Sequence, residues 1–269
     1  MQDLLPVILW VCVAIVCYAY FGYGVLLYIL VGIKRSLRKQ KKYDQGYLPK
    51  VTLLVAAYNE EGCIEEKIEN SLALDYPKDK IEFLLVTDGS DDATPEIVKK
   101  YPNIGLMHRS ERHGKVAAVE RAMPEVHGKI VVFTDANALL NKEAIKNIVR
   151  HFDDEKAGVV SGEKRILSGK MDEATGAGEG LYWKYESKLK KWDSELYSAM
   201  GAAGELFAIR TKLFRPIPKD SLIEDFYMSM KILQQGYKII YEPDAYAMEA
   251  PSASMAEEMK RKIRIAAGG

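Results

Sequence analysis

The stretch Val51–Glu61, VTLLVAAYNEE, is a short apolar run that changes abruptly into polar residues. Its apolar part, Val51–Ala57, shows no alternation and predicts a strand buried on both faces of a parallel sheet. The charged, amphipathic stretch near Glu60–Ala73 then predicts a helix. A strand followed directly by a helix is the repeating unit of an α/β fold, and the rest of the chain repeats it.

Six further apolar runs predict strands that alternate with amphipathic helices. The predicted strands are Ile81–Thr87, Ile104–His108, Ile130–Thr134, Gly158–Gly162, Glu205–Ile209 and Lys238–Tyr241. The predicted helices lie near Thr94–Lys100, Lys115–Met123 and Lys142–Phe152, within Glu173–Leu196, and near Glu224–Gln235. This alternation predicts an α/β fold with a mostly parallel sheet flanked by helices on both faces.

The N-terminal part of the chain has a different composition. No charged residue occurs between Leu4 and Ile33. A helix of about 30 residues is roughly 45 Å long, against a hydrocarbon core of about 30 Å. A buried core helix would show a polar face, and a signal peptide has a basic start and a shorter apolar run. We therefore predict one N-terminal transmembrane helix, which anchors the chain through residues 1–33.

Basic residues follow this apolar segment at Lys34, Arg35, Arg38, Lys39, Lys41 and Lys42. Under the positive-inside rule, they place the N-terminus outside and the rest of the chain in the cytoplasm. We predict a basic linker beside the lipid bilayer at residues 34–49 and a cytoplasmic domain at residues 50–269. The predicted localisation is the membrane, with a single pass in this sequence.

The whole chain carries 38 Lys+Arg and 38 Asp+Glu, so its formal net charge is zero. Because basic residues are concentrated beside the apolar segment, the domain after it is acidic overall, which argues against a nucleic-acid partner. The cysteines Cys12, Cys17 and Cys63 and the four histidines lack the spacing of a zinc or redox site. The composition is therefore compatible with an enzyme or with a binding domain.

Three of the predicted strands end in polar residues, at Tyr58–Glu61, Asp88–Asp92 and Asp135–Asn137. In a parallel α/β sheet, ligands bind beyond the carboxyl ends of the strands. Each segment alone has a structural explanation, since Asn59 or Asp92 is suited to cap the next helix and Asp-Gly is a common turn pair. Together they place carboxylates along one edge of the sheet.

These carboxylates suit a nucleotide that is held through a divalent cation. The Asp-Ala-Asn spacing at Asp135–Asn137 offers one or two oxygens to a hard ion whose other positions are filled by diphosphate. The segment Arg112–Lys115, RHGK, opens a predicted helix and offers a lysine and backbone N–H groups to phosphate. Taken alone, the same four residues are more typical of a solvated turn.

In combination, the segments resemble the family-2 glycosyltransferases, which include the cellulose, chitin and hyaluronan synthases. The matching segments, in the order of the family, are AAYNEE at Ala56–Glu61, TDGSDDAT at Thr87–Thr94, RHGK at Arg112–Lys115, TDAN at Thr134–Asn137 and IEDF at Ile223–Phe226. The resemblance covers about Val51 to Arg264. It implies the GT-A fold, a Rossmann-like mixed sheet, for the cytoplasmic domain, in agreement with the predicted strands.

The resemblance also implies a role for individual residues. The nucleotide-sugar donor would contact Tyr58, Glu60, Asp88, Lys115, Asp135 and Arg264. The metal ion, Mg²⁺ or Mn²⁺, would be bound by Asp135, with Asn137 standing where the family has a second Asp. The acceptor side would include Gly204, Glu205 and Glu224. The catalytic base would be Asp225.

The expected chemistry gives Asp225 and Asp135 separate tasks. An inverting sugar transfer needs one carboxylate to take the proton of the acceptor hydroxyl and a metal ion to hold the departing diphosphate. Asp225 opens a predicted helix, where it is equally suited to be a capping residue and where the helix dipole lowers a carboxyl pKa. The neighbouring Glu224 and the donor's charge raise it. The sequence leaves the direction of the pKa shift open.

The leading hypothesis is a membrane-anchored, inverting, metal-dependent glycosyltransferase in cell-surface polysaccharide synthesis. It would use a nucleotide sugar, a UDP-sugar by resemblance, and a glycan or lipid-linked acceptor. The alternative is a catalytically inactive nucleotide- or glycan-binding subunit of a membrane complex. Asn137 motivates this alternative, as does RKIRI at Arg261–Ile265 in place of the Gln-x-x-Arg-Trp of many relatives.

Two further expectations follow from the sequence. A nucleotide-cofactor oxidoreductase is excluded, because no Gly-x-Gly-x-x-Gly follows the first strand. The chain stops at Gly269 without a second apolar segment. We therefore expect either a fragment of a longer synthase or a short enzyme with a single anchor.

Overall fold

A computed structural model describes residues 4–37, 43–44, 46–166, 173–218, 220–251 and 254–268. Within these ranges, the chain forms one eight-stranded mixed sheet with helices packed on both faces. The strands are β1 Val51–Ala57, β2 Ile81–Asp88, β3 Gly105–Arg109, β4 Ile130–Asp135, β5 Leu139–Leu140, β6 Ala157–Ile166, β7 Leu206–Arg210 and β8 Lys238–Glu249.

The spatial order of the strands is β3-β2-β1-β4-β7-β6-β8-β5. Strands β1 to β4 pair in parallel, as do β6 and β8. Strand β7 runs antiparallel to both of its neighbours, and the short β5 runs antiparallel to β8. The prediction of a mostly parallel α/β sheet is therefore confirmed.

The helices of the described ranges are α1 Leu4–Cys17, α2 Tyr23–Leu37, α3 Ile64–Leu72, α4 Thr94–Lys99, α5 Lys115–Ala122, α6 Ala144–Val149, α7 Glu173–Leu196, α8 Glu224–Gln234 and α9 Met255–Gly268. Each helix predicted from the sequence is present, with shorter ends in several cases. Helix α9 and strand β5 are additional elements that the sequence patterns did not predict.

Two hydrophobic clusters, one on each face of the sheet, explain why the strands are apolar throughout. Leu53 and Val55 of β1 pack on one face with Ile64, Ile68 and residues of α4 and α6. Leu54, between them, packs on the other face against α5 and α8. Because successive side chains of a strand point to opposite faces, β1 is buried on both sides. An unbroken apolar run is the result.

The N-terminal segment is one continuous helix, in which α1 and α2 are joined by a π-helical turn at Tyr18–Gly22. Its residues Pro6–Leu37, a length of 32 residues, are long and apolar enough to cross a membrane. The helix continues to Leu37, beyond the predicted end of the anchor at residue 33. Of the predicted basic run, Arg38, Lys39, Lys41 and Lys42 lie outside the described residues.

The second half of this helix docks onto α7. Gly24, Leu27 and Val31 of α2 are buried, and the rings of Tyr28 and Trp192 lie 5.7 Å apart. Arg35 donates two hydrogen bonds of 2.6 and 2.7 Å to the carboxylate of Glu195. The apolar helix is therefore joined to the α/β domain by both packing and charge.

Candidate active site

The site lies where β1, β2 and β4 end side by side. Ala57 is in register with Thr87 of β2, and Ala56 is in register with Asp135 of β4. Parallel pairing in this register brings the polar residues after the three strands to the same edge of the sheet. The structure thus brings together the segments that begin at Tyr58, Asp88 and Asp135.

Asp88 is buried at the end of β2, with only 5% of its surface exposed. Its Oδ2 atom accepts hydrogen bonds from the backbone N–H groups of His113 and Gly114, at 2.6 and 2.7 Å. Arg121 lies 3.7 Å from its other oxygen. This carboxylate holds the loop that leads into α5.

Tyr58 stands at the edge of the same loop. The guanidinium of Arg112 lies over its ring, 3.7 Å from the ring centre, at the distance of a cation–π contact. Glu60, also expected at the donor, accepts a hydrogen bond of 3.1 Å from the thiol of Cys63. Tyr58 and Glu60 were predicted at the donor, whereas no role was predicted for the side chain of Arg112.

Lys115, the first residue of α5, joins the predicted metal site to Glu224, the residue before the predicted base Asp225. Its ammonium lies 2.7 Å from Oδ1 of Asp135 and 2.8 Å from Oε1 of Glu224. Burial acts to lower the pKa of Lys115, but the two carboxylates outweigh it and raise this pKa above its ordinary value. The same contact outweighs the effect of burial on Glu224 and lowers the pKa of that carboxyl.

Asp225 follows Glu224 at the start of α8. Burial, and then the negative charge of Glu224, raise the pKa of Asp225 to about 6, although it also accepts a hydrogen bond from the backbone of Phe226. Desolvation and the charge of Glu224 outweigh the backbone hydrogen bond of Phe226 and the charge of Lys115, so the pKa shift that the sequence left open is upward. A carboxylate with this pKa is ionised at neutral pH and is a better proton acceptor than an ordinary Asp.

Two residues of the predicted acceptor side lie close to this carboxylate. A Cβ atom placed on Gly204 would come within 2.9 Å of Oδ2 of Asp225. Glu205 contributes to the raised pKa of Asp225, and its carboxylate forms an ion pair of 2.5 Å with Lys164. Lys164 also pairs with Glu249 at 2.5 Å. Lys164 and Glu249 were not identified from the sequence, because they lie on strands that are far apart along the chain.

Helix α9 closes this side of the site. Its Arg261 lies 3.9 Å from Glu205, and the charge of Arg264 contributes to the lowered pKa of Glu224. Near the end of α9, Gly268 approaches Ile223 closely. Arg264, which the resemblance places at the donor, is therefore near Glu224 and the lysine bridge.

The oxygen donors at Asp135 and Asn137 fit a hard divalent ion that is shared with a diphosphate. Among the described residues, no group of three or more His, Cys, Asp or Glu side chains could hold a metal ion alone. A Mg²⁺ ion bound with a nucleotide needs only one or two protein carboxylates. The Asp135 side chain is 32% exposed, and Asn137 is exposed two residues further on.

Below this turn lies a buried cation that the sequence analysis missed. Lys67 of α3 is 1% exposed, and its ammonium donates a hydrogen bond of 2.9 Å to Oγ1 of Thr134 and another to the carbonyl of Ala138. Burial lowers the pKa of Lys67 to about 7 against the opposing effect of Asp135 and Glu249. Its position between Ile64 and Ile68 on the apolar face of α3 was the available signal.

The comparisons with known proteins agree with this geometry. The model of the family described as glycosyl transferase family 2 matches residues 52–217, a span that runs from β1 past β7. The chain belongs to glycosyl transferase family 2. The GT-A fold expected from the resemblance is confirmed by the solved structures of this fold that the chain resembles.

One of these structures is a mannosyltransferase, PcManGT from Pyrobaculum calidifontis, in complex with GDP-Man and Mn²⁺. The two chains are 31% identical with a TM-score of 0.75, and the match covers 92% of this chain and 71% of that one. TarS of S. aureus, at 22% identity and a TM-score of 0.59, shares the fold over 80% of this chain and 39% of its own.

Two curated relatives of this family-2 chain are synthases. It is 33% identical over 179 residues to the beta-monoglucosyldiacylglycerol synthase of Trichormus variabilis. It is 27% identical over 256 residues to the poly-beta-1,6-N-acetyl-D-glucosamine synthase of Staphylococcus aureus. These matches cover 63% and 91% of this chain. The chain spans only 36% and 61% of the relatives' lengths.

Proposed function

We propose that this chain is the catalytic part of a membrane-anchored, inverting, metal-dependent glycosyltransferase. It transfers a sugar from a nucleotide sugar to a glycan or lipid-linked acceptor in the synthesis of a cell-surface polysaccharide or glycolipid. The single observation that carries this proposal is that one ammonium, that of Lys115, lies 2.7 Å from Asp135 and 2.8 Å from Glu224, which joins the predicted metal site to the residue beside the predicted base Asp225.

In the proposed reaction, Asp225 takes the proton of the acceptor hydroxyl as its oxygen attacks the anomeric carbon of the sugar. The C–O bond to the diphosphate breaks on the opposite face, which inverts the configuration. The leaving nucleoside diphosphate carries away the bonding electron pair. Glu224 supports Asp225 in this role, because its charge raises the pKa of the base.

The donor's diphosphate lies, in this proposal, between Lys115, Arg264 and Asp135. Asp135, with Asn137, would hold Mg²⁺ or Mn²⁺, which neutralises the charge that develops on the leaving diphosphate. Lys115 exchanges its ion pair with Asp135 for one with a phosphate oxygen. Tyr58, Glu60 and Asp88 line the nucleotide end. The Mn²⁺ in the complex of PcManGT supports a divalent ion and does not choose between Mg²⁺ and Mn²⁺.

The donor proposed from the resemblance is a UDP-sugar. GDP-Man, the nucleotide sugar in the PcManGT complex, is the competing donor. The names of the two curated synthases support a β-linked glycan or a glycolipid as the product. A lipid-linked or membrane-embedded acceptor agrees with an active site on a domain that packs directly against an apolar helix.

We propose that the N-terminal helix crosses the bilayer and that the catalytic domain is cytoplasmic. Its length of 32 residues and its apolar composition support this topology. The basic residues at its end support the orientation under the positive-inside rule. The contacts of Tyr28 with Trp192 and of Arg35 with Glu195 support a fixed distance between the membrane and the active site.

The test uses membranes that contain the protein, either Mn²⁺ or Mg²⁺, and a panel of UDP- and GDP-sugars. The expected result is release of nucleoside diphosphate with one donor, dependent on the divalent ion and lost in Asp225→Asn. Binding of a nucleotide without turnover, with any donor and either ion, would instead support the inactive-subunit alternative. The anomeric configuration of the product, read by NMR, tests inversion.

A further inference from the structure

The buried Lys67 has no part in the mechanism proposed above. It lies on the face of α3 that packs against the sheet, beside Ile64 and Ile68 in the hydrophobic cluster. Both acceptors of its hydrogen bonds, the hydroxyl of Thr134 and the carbonyl of Ala138, are neutral oxygens. Burying an ammonium group without a paired carboxylate is costly. A methionine of similar length would fill the same space without that cost.

The two acceptors bracket the predicted metal-binding turn. Thr134 is the residue before Asp135, and Ala138 is the residue after Asn137. The single ammonium of Lys67 therefore links the two ends of the turn. Within the turn, the backbone N–H of Ala138 donates to the carbonyl of Asp135 at 3.3 Å.

A second contact extends this link toward the acceptor side. The hydroxyl of Thr134 accepts the bond from Lys67 and donates its own hydrogen to the carbonyl of Glu205, at 2.9 Å. A displacement of Lys67 would therefore reach both the Asp135–Asn137 turn and the start of β7. Residues that orient metal ligands without touching the metal ion commonly change the metal affinity when they are substituted.

We propose that Lys67 is a positioning residue for the divalent ion, which acts by holding the ends of the Asp135–Asn137 turn so that both side chains face the donor. This inference rests on the proposed function, because it takes Asp135 and Asn137 as the residues that bind the ion. Lys67 itself touches neither the ion nor the donor. Its effect passes through Thr134 and Ala138.

The test compares three variants by Mn²⁺ binding, measured by electron paramagnetic resonance in the presence of UDP or GDP. Lys67→Met removes the ammonium, and Thr134→Val removes one of its acceptors at nearly constant shape. Ile68→Val is the matched control, since it disturbs the same core and leaves both bonds in place. Hydrogen exchange of the amides of residues 134–138 gives a second readout, which is independent of activity.

The expected result is a loss of Mn²⁺ affinity of about tenfold or more in Lys67→Met and Thr134→Val. Exchange in the turn should be faster in both variants, and neither readout should change in Ile68→Val. A folded Lys67→Met protein with unchanged Mn²⁺ affinity and unchanged exchange would overturn the inference. If Lys67→Met does not fold, Mn²⁺ affinity and hydrogen exchange in Thr134→Val test the inference instead. Unchanged values of both would overturn it.

The outcome separates this inference from the proposed function. A wild-type protein that binds no Mn²⁺ with either nucleotide contradicts the proposed metal site, and the inference fails with it. A wild-type protein that binds Mn²⁺, together with variants that bind it equally well, contradicts only the role of Lys67.

Discussion

The ammonium of Lys115 lies 2.7 Å from Oδ1 of Asp135, so the residue expected to bind phosphate holds the residue expected to bind the metal ion. The same ammonium reaches Glu224 at 2.8 Å, next to the proposed base. This lysine balances two carboxylates that would otherwise repel each other. We expect Asp135 to hold the divalent ion and Lys115 to pair with a phosphate oxygen when the donor is bound.

Replacing Lys115 should separate these roles. In Lys115→Met we expect kcat/KM for the donor to fall by about 100-fold, because a charge-assisted contact to the diphosphate is lost. The affinity of the free protein for Mn²⁺ should stay the same or increase, since the ion no longer competes with an ammonium at Asp135. Steady-state kinetics and Mn²⁺ titration measure the two effects, and Lys99→Met on the exposed surface is the control. Weaker Mn²⁺ binding in Lys115→Met would contradict this account.

The pH dependence of the reaction should report Asp225. Because the base must be ionised and its pKa is raised to about 6, kcat/KM should fall tenfold for each pH unit below about 6 and level off above it. In Glu224→Gln a negative charge next to Asp225 is removed, so the midpoint should move to lower pH. A rate that is independent of pH between about 5 and 7 would be inconsistent with Asp225 as the base.

Gly204 should tolerate no side chain. In Gly204→Ala the new Cβ would lie 2.9 Å from Oδ2 of Asp225, so either the loop or the carboxylate must move. We expect kcat to fall by about tenfold or more while nucleotide binding is retained, because misplacing a reacting group by a fraction of an ångström is costly. Gly62→Ala is the matched control, since no atom lies within 4 Å of its added Cβ. Equal activity in the two variants would remove Gly204 from the acceptor side.

Asn137 provides a direct test of the metal site. Asn137→Asp restores the second carboxylate that the family pattern has and should tighten Mn²⁺ binding severalfold in the presence of the nucleotide, since it adds a charged oxygen ligand. Asn137→Ala should weaken it. Calorimetric titration with Mn²⁺ measures both variants. If neither substitution changes the affinity, Asn137 is not a ligand and Asp135 acts with the diphosphate alone.

A buried ion cluster away from the site should control stability. Burial acts to raise the pKa of Glu242, but hydrogen bonds from His151 and Arg150 outweigh it and lower this pKa to about 2. The stabilisation is therefore present above the ordinary Glu pKa and lost as the pH falls toward 2. Glu242→Gln should reduce the free energy of unfolding by about 3 kcal/mol, as measured by urea denaturation in detergent. Glu96→Gln, in an exposed pair, should leave the free energy of unfolding nearly unchanged, and an equal loss in both would refute the cluster's role.

Local sequence patterns predicted the strands that carry the site almost to the residue. β1 was predicted with the bounds it has, and β2 and β4 each extend one residue further, to Asp88 and Asp135. These strands are buried on both faces, so their apolar runs end where the side chains meet solvent. Because parallel strands end at the same edge of the sheet, the sequence also predicted that the carboxylates after these strands lie along one edge.

The remaining features depend on contacts between distant parts of the chain. The bridge from Lys115 to Glu224 joins α5 to α8, and no local pattern encodes it. The pKa of Asp225 depends on burial, which the sequence does not give. Strand β5 has only two residues, Leu139 and Leu140, too few to form a pattern. Lys67 occupies a core position on a helix face, and no role was predicted for it from the sequence.

The measurement that tests the central claim most directly is donor turnover in wild type and Asp225→Asn, with nucleotide binding measured on the same samples. The account predicts metal-dependent release of a nucleoside diphosphate by the wild type. It predicts a loss of about 100-fold to 10,000-fold in Asp225→Asn, with nucleotide affinity unchanged. Wild-type turnover in Asp225→Asn would contradict the assignment of the base, and with it the proposed mechanism.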